Sequence, residues 1–170
     1  HSCHVRKLNK ASIKAHVQIL KQVPDSVLLR KGRGTNESIK HTYEQECQLH
    51  GVDVDRIKFL PMTKSEEDHR MVYPIADVLL DSYPYNGGSQ NLEALWFDLP
   101  VVTLVGEQSF ARMGYSFLQT LGIDAGIARN WVEYVEWGAK LGLDRELRNS
   151  LREQLIRSKQ PETLSPLWNP

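Results

Sequence analysis

Residues 76–96 read ADVLLDSYPYNGGSQNLEALW, and this stretch decides which fold we expect. It opens with an apolar run at residues 78–80, which is typical of a short buried β-strand. A loop rich in Tyr, Pro, Asn and Gly follows, and then Leu92, Leu95 and Trp96 recur at helical spacing. The stretch therefore predicts a strand, a turn and a helix that buries this apolar face.

The turn between this strand and this helix is a candidate anion site. Asn86, Gly87 and Gly88 can bring bare backbone close to a ligand, and the helix behind them offers unpaired N–H groups and a positive dipole end. Glu93, one turn into the helix, has the reach to accept two hydroxyl hydrogen bonds, as an acid does for a ribose in dinucleotide-binding folds. The alternatives are that the glycines only make a tight turn and that a first-turn acid only complements the dipole.

Short apolar runs alternate with helical patterns along the rest of the chain. Predicted strands cover residues 26–31, 56–60, 78–80, 100–105 and 126–128, with a further strand in the first few residues. Predicted helices cover residues 10–22, 37–50, 65–73 and the stretch after the turn, then a stripe within 110–121 and two closing helices. The pattern predicts an α/β fold: one Rossmann-like domain over residues 1–170, with a parallel sheet covered by helices on both faces.

Composition narrows the function classes. Basic and acidic residues number 21 each, so no net field favours nucleic acid or an anionic membrane, and no apolar run has the length of a membrane span. Two cysteines and six scattered histidines without ligand spacing give no support for a metal site. We expect a cytoplasmic protein, and because the chain begins at His1 without Met and stops abruptly, a fragment of a longer one.

Three loops are predicted to meet at one edge of the sheet. Lys7 follows the first strand, residues 62–64 follow the third, and residues 86–90 follow the strand at 78–80. Ligands of open parallel sheets bind beyond the carboxyl ends of the strands, so these loops should line one crevice. The chain has neither GxGxxG after its first strand nor GxxxxGK[ST], which disfavours NAD and a P-loop phosphate site.

The order of several motifs resembles a known family. KxxxAS, RIKFLP and EEDH precede the stretch ADVLLDSYPYNGGSQNLEALWFDLPVVTLVGE, and ARMGYSFLQTLG follows it. This arrangement is similar to the catalytic region of the O-GlcNAc transferase (SPINDLY-like) glycosyltransferases. The resemblance implies the C-terminal half of a GT-B enzyme, which binds a nucleotide sugar and transfers the sugar with inversion to Ser or Thr hydroxyls of proteins.

The resemblance also implies the partners. The donor is a UDP-sugar, with UDP-GlcNAc expected, although SPINDLY proteins of plants use GDP-fucose. No metal or other cofactor is required, and the acceptor is a protein or peptide. An N-terminal GT-B domain and TPR repeats are expected upstream, so the fragment alone should bind nucleotide without transferring sugar. The alternatives are a catalytically inactive nucleotide-binding or protein-interaction module of the same fold, or a GT-B enzyme acting on a small glycan.

Site residues carry over by position in the matching motifs. The resemblance places Lys7 at the diphosphate as the catalytic cation, with His4 beside it, and His69 at the uracil, whose edge the backbone from Met62 to Lys64 reads. The diphosphate turn is implied at Asn86, Gly87, Gly88, Ser89 and Gln90, and the ribose-binding acid at Glu93. The family commonly has Thr residues in place of Ser89 and Gln90, and Asp in place of Glu93, which leaves the identity of the nucleotide open.

Overall fold

The structure, a computed structural model, describes residues 8–31, 37–61, 65, 68 and 70–169. Within these residues the helices are α1 (Lys10–Gln22), α2 (Glu37–His50), α3 (Ser89–Trp96), α4 (Met113–Thr120), α5 (Trp131–Leu143) and α6 (Arg145–Arg157). The strands are β1 (Leu28–Lys31), β2 (Ile57–Leu60), β3 (Leu79–Leu80), β4 (Val101–Leu104) and β5 (Ile127–Ala128). Helices and strands alternate along the chain as predicted.

All strand pairs in this part of the chain are parallel. β1 pairs with β2, and β4 lies between β3 and β5 in a second, three-stranded sheet. The predicted α/β class with parallel strands is confirmed. The single predicted sheet is found as two among the described residues, and the strand expected in the first few residues lies outside them. An apolar cavity of about 360 Å³ is lined by residues of both sheets and of α1.

Local signals in the sequence explain where the helices begin. Asn9 caps α1 because its side chain accepts the backbone N–H of Ser12 at 2.8 Å. Asn130 caps α5 and Asp144 caps α6 in the same way. At the short predicted helix, the Ser65 hydroxyl accepts the N–H of Asp68 at 3.1 Å, as expected for a cap.

Three predicted elements each expose an apolar residue that we expected them to bury: Val27 of the strand at 26–31, Phe110 of the stripe within 110–121 and Trp96 of the helix after the turn. Val27 lies outside β1 and is 51% exposed, and Phe110 lies in a 3-10 turn before α4 with 37% of its surface exposed. Trp96 is 53% exposed because α3 buries a different face. That face consists of Asn91, Ala94 and Leu95. Trp96 instead packs edge-on against Trp168, with ring centroids 5.4 Å apart.

The core is organised around β4. All four of its residues are buried, which matches a strand covered on both faces, and helices α3, α4 and α5 pack against it. β3 and β5 flank it, so the loops that follow β3 and β4 lie at the same edge of the sheet. No helix in the described part of the chain is long and apolar enough to cross a membrane.

Candidate functional site

The turn after β3 is built on the carboxylate of Asp81, which is buried directly beyond the end of that strand. Its Oδ1 accepts the backbone N–H of Ser82 at 2.8 Å and that of Gly87 at 2.7 Å. Its Oδ2 accepts the hydroxyl of Thr103 from β4 at 2.8 Å. One side chain therefore joins both ends of the turn to the central strand.

Asn86 closes the same turn from the other side. Its backbone N–H donates to the carbonyl of Phe110 at 2.9 Å, and its side-chain Nδ2 donates to the carbonyl of Ser82 at 2.8 Å. Its Oδ1 accepts the N–H of Gly114, near the start of α4, at 3.4 Å. The Asn86 side chain therefore joins the start of the turn at Ser82 to the start of α4.

The free donors of the site lie at the start of α3. The first described backbone bond at this end runs from the N–H of Leu92 to the carbonyl of Gly88, and Gly88 precedes the helix without a side-chain cap. The backbone N–H groups of Gly88, Ser89, Gln90 and Asn91 have no acceptor among the described residues. Such a set of N–H groups at the positive end of a helix dipole favours an anion.

Two glycines allow the close packing around Asp81. A Cβ at Gly87 would lie 2.6 Å from Oδ1 of Asn91. A Cβ at Gly114 would lie 2.4 Å from Oγ1 of Thr103 and 2.7 Å from Oδ2 of Asp81. Both glycines are required by the close approach of neighbouring polar groups, which larger residues would push apart.

Burial governs the electrostatics of this cluster. Burial raises the pKa of Asp81 from 3.8 to about 6. The hydrogen bonds from Gly87, Thr103 and Ser82 lower this pKa, but their effect is smaller. The Asn91 amide also lowers this pKa, although its own polar atoms are buried without a hydrogen bond of normal geometry. Asp81 is therefore held by the geometry of the turn and by no opposite charge among the described residues.

Glu93 lies beyond the first turn of α3, which carries no acidic residue. The suggestion that it only complements the helix dipole is therefore wrong, because that effect falls off within the first turn. Its Oε2 accepts the Tyr73 hydroxyl at 3.0 Å and its Oε1 accepts Nε of Arg70 at 3.3 Å. Burial, followed by the charge of Glu93, raises the pKa of Tyr73. Glu93 thus joins α3 to the segment that precedes β3.

An open depression of about 690 Å³ adjoins the turn. It is lined by residues that follow β3, β4 and β5, among them Tyr85, Glu107 and Arg112. Tyr85 stacks on Phe110 with centroids 4.5 Å apart, and Nη1 of Arg112 donates to the carbonyl of Gly106 at 3.0 Å. The depression provides room for a ligand beside Tyr85, whereas the residues with free N–H groups, Gly88 to Asn91, are not among those that line it.

The structure brings part of the predicted site together. The residues placed in the turn and the first turns of α3 are Asn86, Gly87, Gly88, Ser89, Gln90 and Glu93. His4, Lys7, Met62, Lys64 and His69 lie outside the described residues. In the described part of the chain, no group of His, Cys, Asp and Glu side chains is arranged to hold a metal ion.

The groups that support the turn from within the domain were not predicted from the sequence. Asp81, Thr103 and Gly114 were not singled out, although they form its floor. A signal existed for Asp81: an acid directly after a buried strand stands at the carboxyl edge of the sheet, where ligands bind. Gly114 gave no such signal, because its role depends on contacts between distant elements.

The parallel strands and the uncapped helix start define the class of the protein: an α/β domain with a candidate anion site at the carboxyl edge of its sheet. More particularly, the chain belongs to glycosyl transferase family 41, whose model matches residues 3–169.

Individual relatives agree with this family. A probable UDP-N-acetylglucosamine--peptide N-acetylglucosaminyltransferase SPINDLY of Solanum lycopersicum is 31% identical over 160 residues, covering 91% of this chain and 17% of the relative. A UDP-N-acetylglucosamine--peptide N-acetylglucosaminyltransferase of Caenorhabditis elegans is 30% identical, covering 93% of this chain and 14% of the relative. A solved mutant of Thermobaculum terrenum O-GlcNAc transferase matches with a TM-score of 0.83 and 29% identity, over 98% of this chain and 32% of that one.

Proposed function

We propose that this chain is the donor-binding domain of an inverting glycosyltransferase that moves a sugar from a nucleotide to Ser or Thr hydroxyls of a protein. The single observation that carries the proposal is the set of free backbone N–H groups from Gly88 to Asn91 at the start of α3. Membership of glycosyl transferase family 41 supports it. The names of the relatives favour UDP-GlcNAc as donor and a peptide as acceptor.

The proposed chemistry is stabilisation of the leaving group. Negative charge grows on the nucleoside diphosphate as its bond to the sugar breaks, and the N–H groups and dipole of α3 then bind it more strongly. Lys7 would add a compact positive charge at the diphosphate. This scheme requires no metal ion. His4 would assist Lys7, while His69 and the backbone of residues 62–64 would hold the base.

Glu93 is the proposed partner of the ribose. A carboxylate has about four lone-pair positions, and the bonds from Tyr73 and Arg70 use one on each oxygen. The remaining positions can accept the two hydroxyls of a ribose. Its side chain is 31% exposed, which leaves the carboxylate accessible to a ligand.

The test is isothermal titration calorimetry with UDP, GDP and UDP-GlcNAc. We expect Glu93→Ala and Lys7→Ala each to weaken UDP binding by roughly 1 to 3 kcal/mol, because each removes a charge-assisted contact. Tyr73→Phe is the matched control for Glu93, since it removes a hydroxyl from the same carboxylate but none of the proposed ligand contacts. Tighter binding of GDP than UDP would reassign the donor.

Two outcomes would change the proposal. Absence of binding by all three nucleotides would favour the inactive or protein-interaction module of the same fold. Because the chain spans only 17% and 14% of the length of the two relatives above, we propose that acceptor contacts come from an N-terminal GT-B domain and upstream TPR repeats. Sugar transfer to a peptide by the chain alone would contradict this.

A further inference from the structure

We propose that Asp81 is the positioning residue of the donor site: its carboxylate turns the N–H of Gly87 inward and so aims the N–H groups at the start of α3 at the diphosphate. This inference rests on the proposed function. The Gly87 N–H to Oδ1 bond of 2.7 Å is the contact that fixes the turn one residue before the free donors begin.

Asp81 acts through the turn and not by touching the ligand. Only 4% of its surface is exposed, and both carboxylate oxygens are occupied by groups of the protein. Thr103 fixes Oδ2 from β4, and the Tyr134 hydroxyl donates to the backbone carbonyl of Asp81 from α5 at 2.8 Å. The position of the Gly87 N–H is therefore set by the Asp81 carboxylate, which Thr103 holds from β4, while Tyr134 contacts only the backbone carbonyl.

The direction of Gly87 decides which N–H groups can reach an anion. The N–H groups of Asn86 and Gly87 donate to Phe110 and Asp81, so they are directed into the protein. From Gly88 onwards no described acceptor remains. If the contact at Gly87 were lost, its N–H could rotate outward, and the four donors that follow would no longer be fixed in one orientation.

A carboxylate at this position costs folding free energy, because its charged form is buried. Burial raises the pKa of Asp81, which shows that the fold holds the charged form at a cost. The described groups that face the carboxylate are the backbone N–H groups of Ser82 and Gly87, the Thr103 hydroxyl and the Asn91 amide. The turn needs one acceptor for the N–H groups of Ser82 and Gly87 and a second for the Thr103 hydroxyl, and a carboxylate supplies both.

Asp81→Asn is a conservative variant that can keep the hydrogen bonds of the turn. In Asp81→Asn, the amide oxygen can still accept both backbone N–H groups, and the amide nitrogen can donate to the Thr103 hydroxyl. Asp81→Ala removes every one of these contacts. The two variants therefore separate the acceptor at Gly87 from the charge of Asp81.

The experiment is calorimetric titration of the wild type and the variants with UDP at a temperature at which each is folded by circular dichroism. We expect Asp81→Ala to bind UDP at least tenfold more weakly and Asp81→Asn to bind within threefold of the wild type. Tyr134→Phe is the matched control, because it removes the bond to the backbone carbonyl and leaves the carboxylate contacts intact. It should melt at a lower temperature and bind UDP within threefold of the wild type.

A second measurement covers the case in which Asp81→Ala does not fold. The amide resonance of Gly87 in the wild type should shift as Asp81 titrates with its pKa of about 6, and this shift should be absent in Asp81→Asn. A Gly87 resonance that does not move would overturn the inference, as would a folded Asp81→Ala that binds UDP within threefold of the wild type. A wild type that binds no nucleotide would instead refute the proposed function, and the role of Asp81 with it.

Discussion

Two buried titratable side chains, Asp81 and His16, lie in contrasting surroundings. Asp81 is enclosed by hydrogen-bond donors of a turn, a strand and its own backbone neighbour. His16 lies where α1 packs on α2, with its Nδ1 2.8 Å from the Tyr43 hydroxyl and only 1% of its surface exposed. The first arrangement shapes a loop at the sheet edge, and the second fills a helix contact.

The two side chains respond to acid in opposite ways. Burial lowers the pKa of His16 from 6.5 to about 3, so the unfolded chain takes up its proton first and the fold loses stability as the pH falls below 6.5. Burial raises the pKa of Asp81 from 3.8 to about 6, so the fold loses stability as the pH rises through that range. A comparison of variants at two pH values can therefore separate them.

The largest expected effect is that of His16 on acid stability. Between pH 7.5 and 4.5 the wild type should lose roughly 3 kcal/mol through His16, since one pKa unit is worth about 1.36 kcal/mol. His16→Gln should lose that much less over the same change of pH, because Gln does not titrate. Urea unfolding of both proteins at both pH values measures the difference. Equal losses would show that His16 is protonated in the folded protein.

Glycine replacements compare how rigid the two regions are. Gly114→Ala should destabilise the protein by about 2 kcal/mol, because the new methyl group meets Thr103 and Asp81, which hydrogen bonds hold in place. Gly138→Ala puts a methyl group 2.4 Å from the Cδ1 of Ile19, an apolar side-chain end that can change rotamer. Its cost should be smaller. Thermal unfolding of the pair tests this order, and a reversed order would contradict the contrast.

Asp81→Asn tests the sign of the second titration. The wild type should lose roughly 2 kcal/mol of stability between pH 4.5 and pH 7.5 that Asp81→Asn does not lose. The reason is that the variant removes a carboxylate whose ionisation is opposed by burial. Urea unfolding at the two pH values is again the measurement. A flat result for Asp81→Asn would mean that its pKa is not raised.

The smallest expected effects come from the hydroxyl partners. Tyr43→Phe and Thr103→Val should each destabilise the protein by about 1 kcal/mol, the usual net value of one hydrogen bond. The loss should be greater for Tyr43→Phe, since Asp81 keeps two backbone donors when Thr103 is replaced. Chemical denaturation of the two single variants gives the order. A greater loss for Thr103→Val would show that the turn depends on β4 more than on its own backbone.

Periodicity predicted the helices well because their buried faces carry clear apolar spacing. Ile13, Val17 and Leu20 are buried on α1, as predicted, and the predicted bounds of α1 and α2 agree with those observed. Trp96 was misplaced because its helical spacing with Leu92 and Leu95 predicted burial, whereas it packs on Trp168 at the surface. That contact joins distant parts of the chain and left no local signal.

The site was predicted in part for the same reason. Glycine and helix patterns are local, so the turn at residues 86–88 and the start of α3 could be read from the sequence. The support beneath them is not local: Thr103 is 22 residues from Asp81 and Tyr134 is 53 residues away. The partners of Glu93, Tyr73 and Arg70, were likewise hidden, because they precede it by 20 and 23 residues.

The contact of Trp96 with Trp168 has a consequence for the other end of α3. Lys159 also donates to the carbonyl of Trp96 and to the carboxylate of Asp98. Lys159 and Trp168 therefore anchor the C-terminal end of α3. A helix only eight residues long depends on such anchoring to hold its direction. Removal of Lys159 and the residues after it should therefore disturb the start of α3 as well, although they contact Trp96 and Asp98 at its other end.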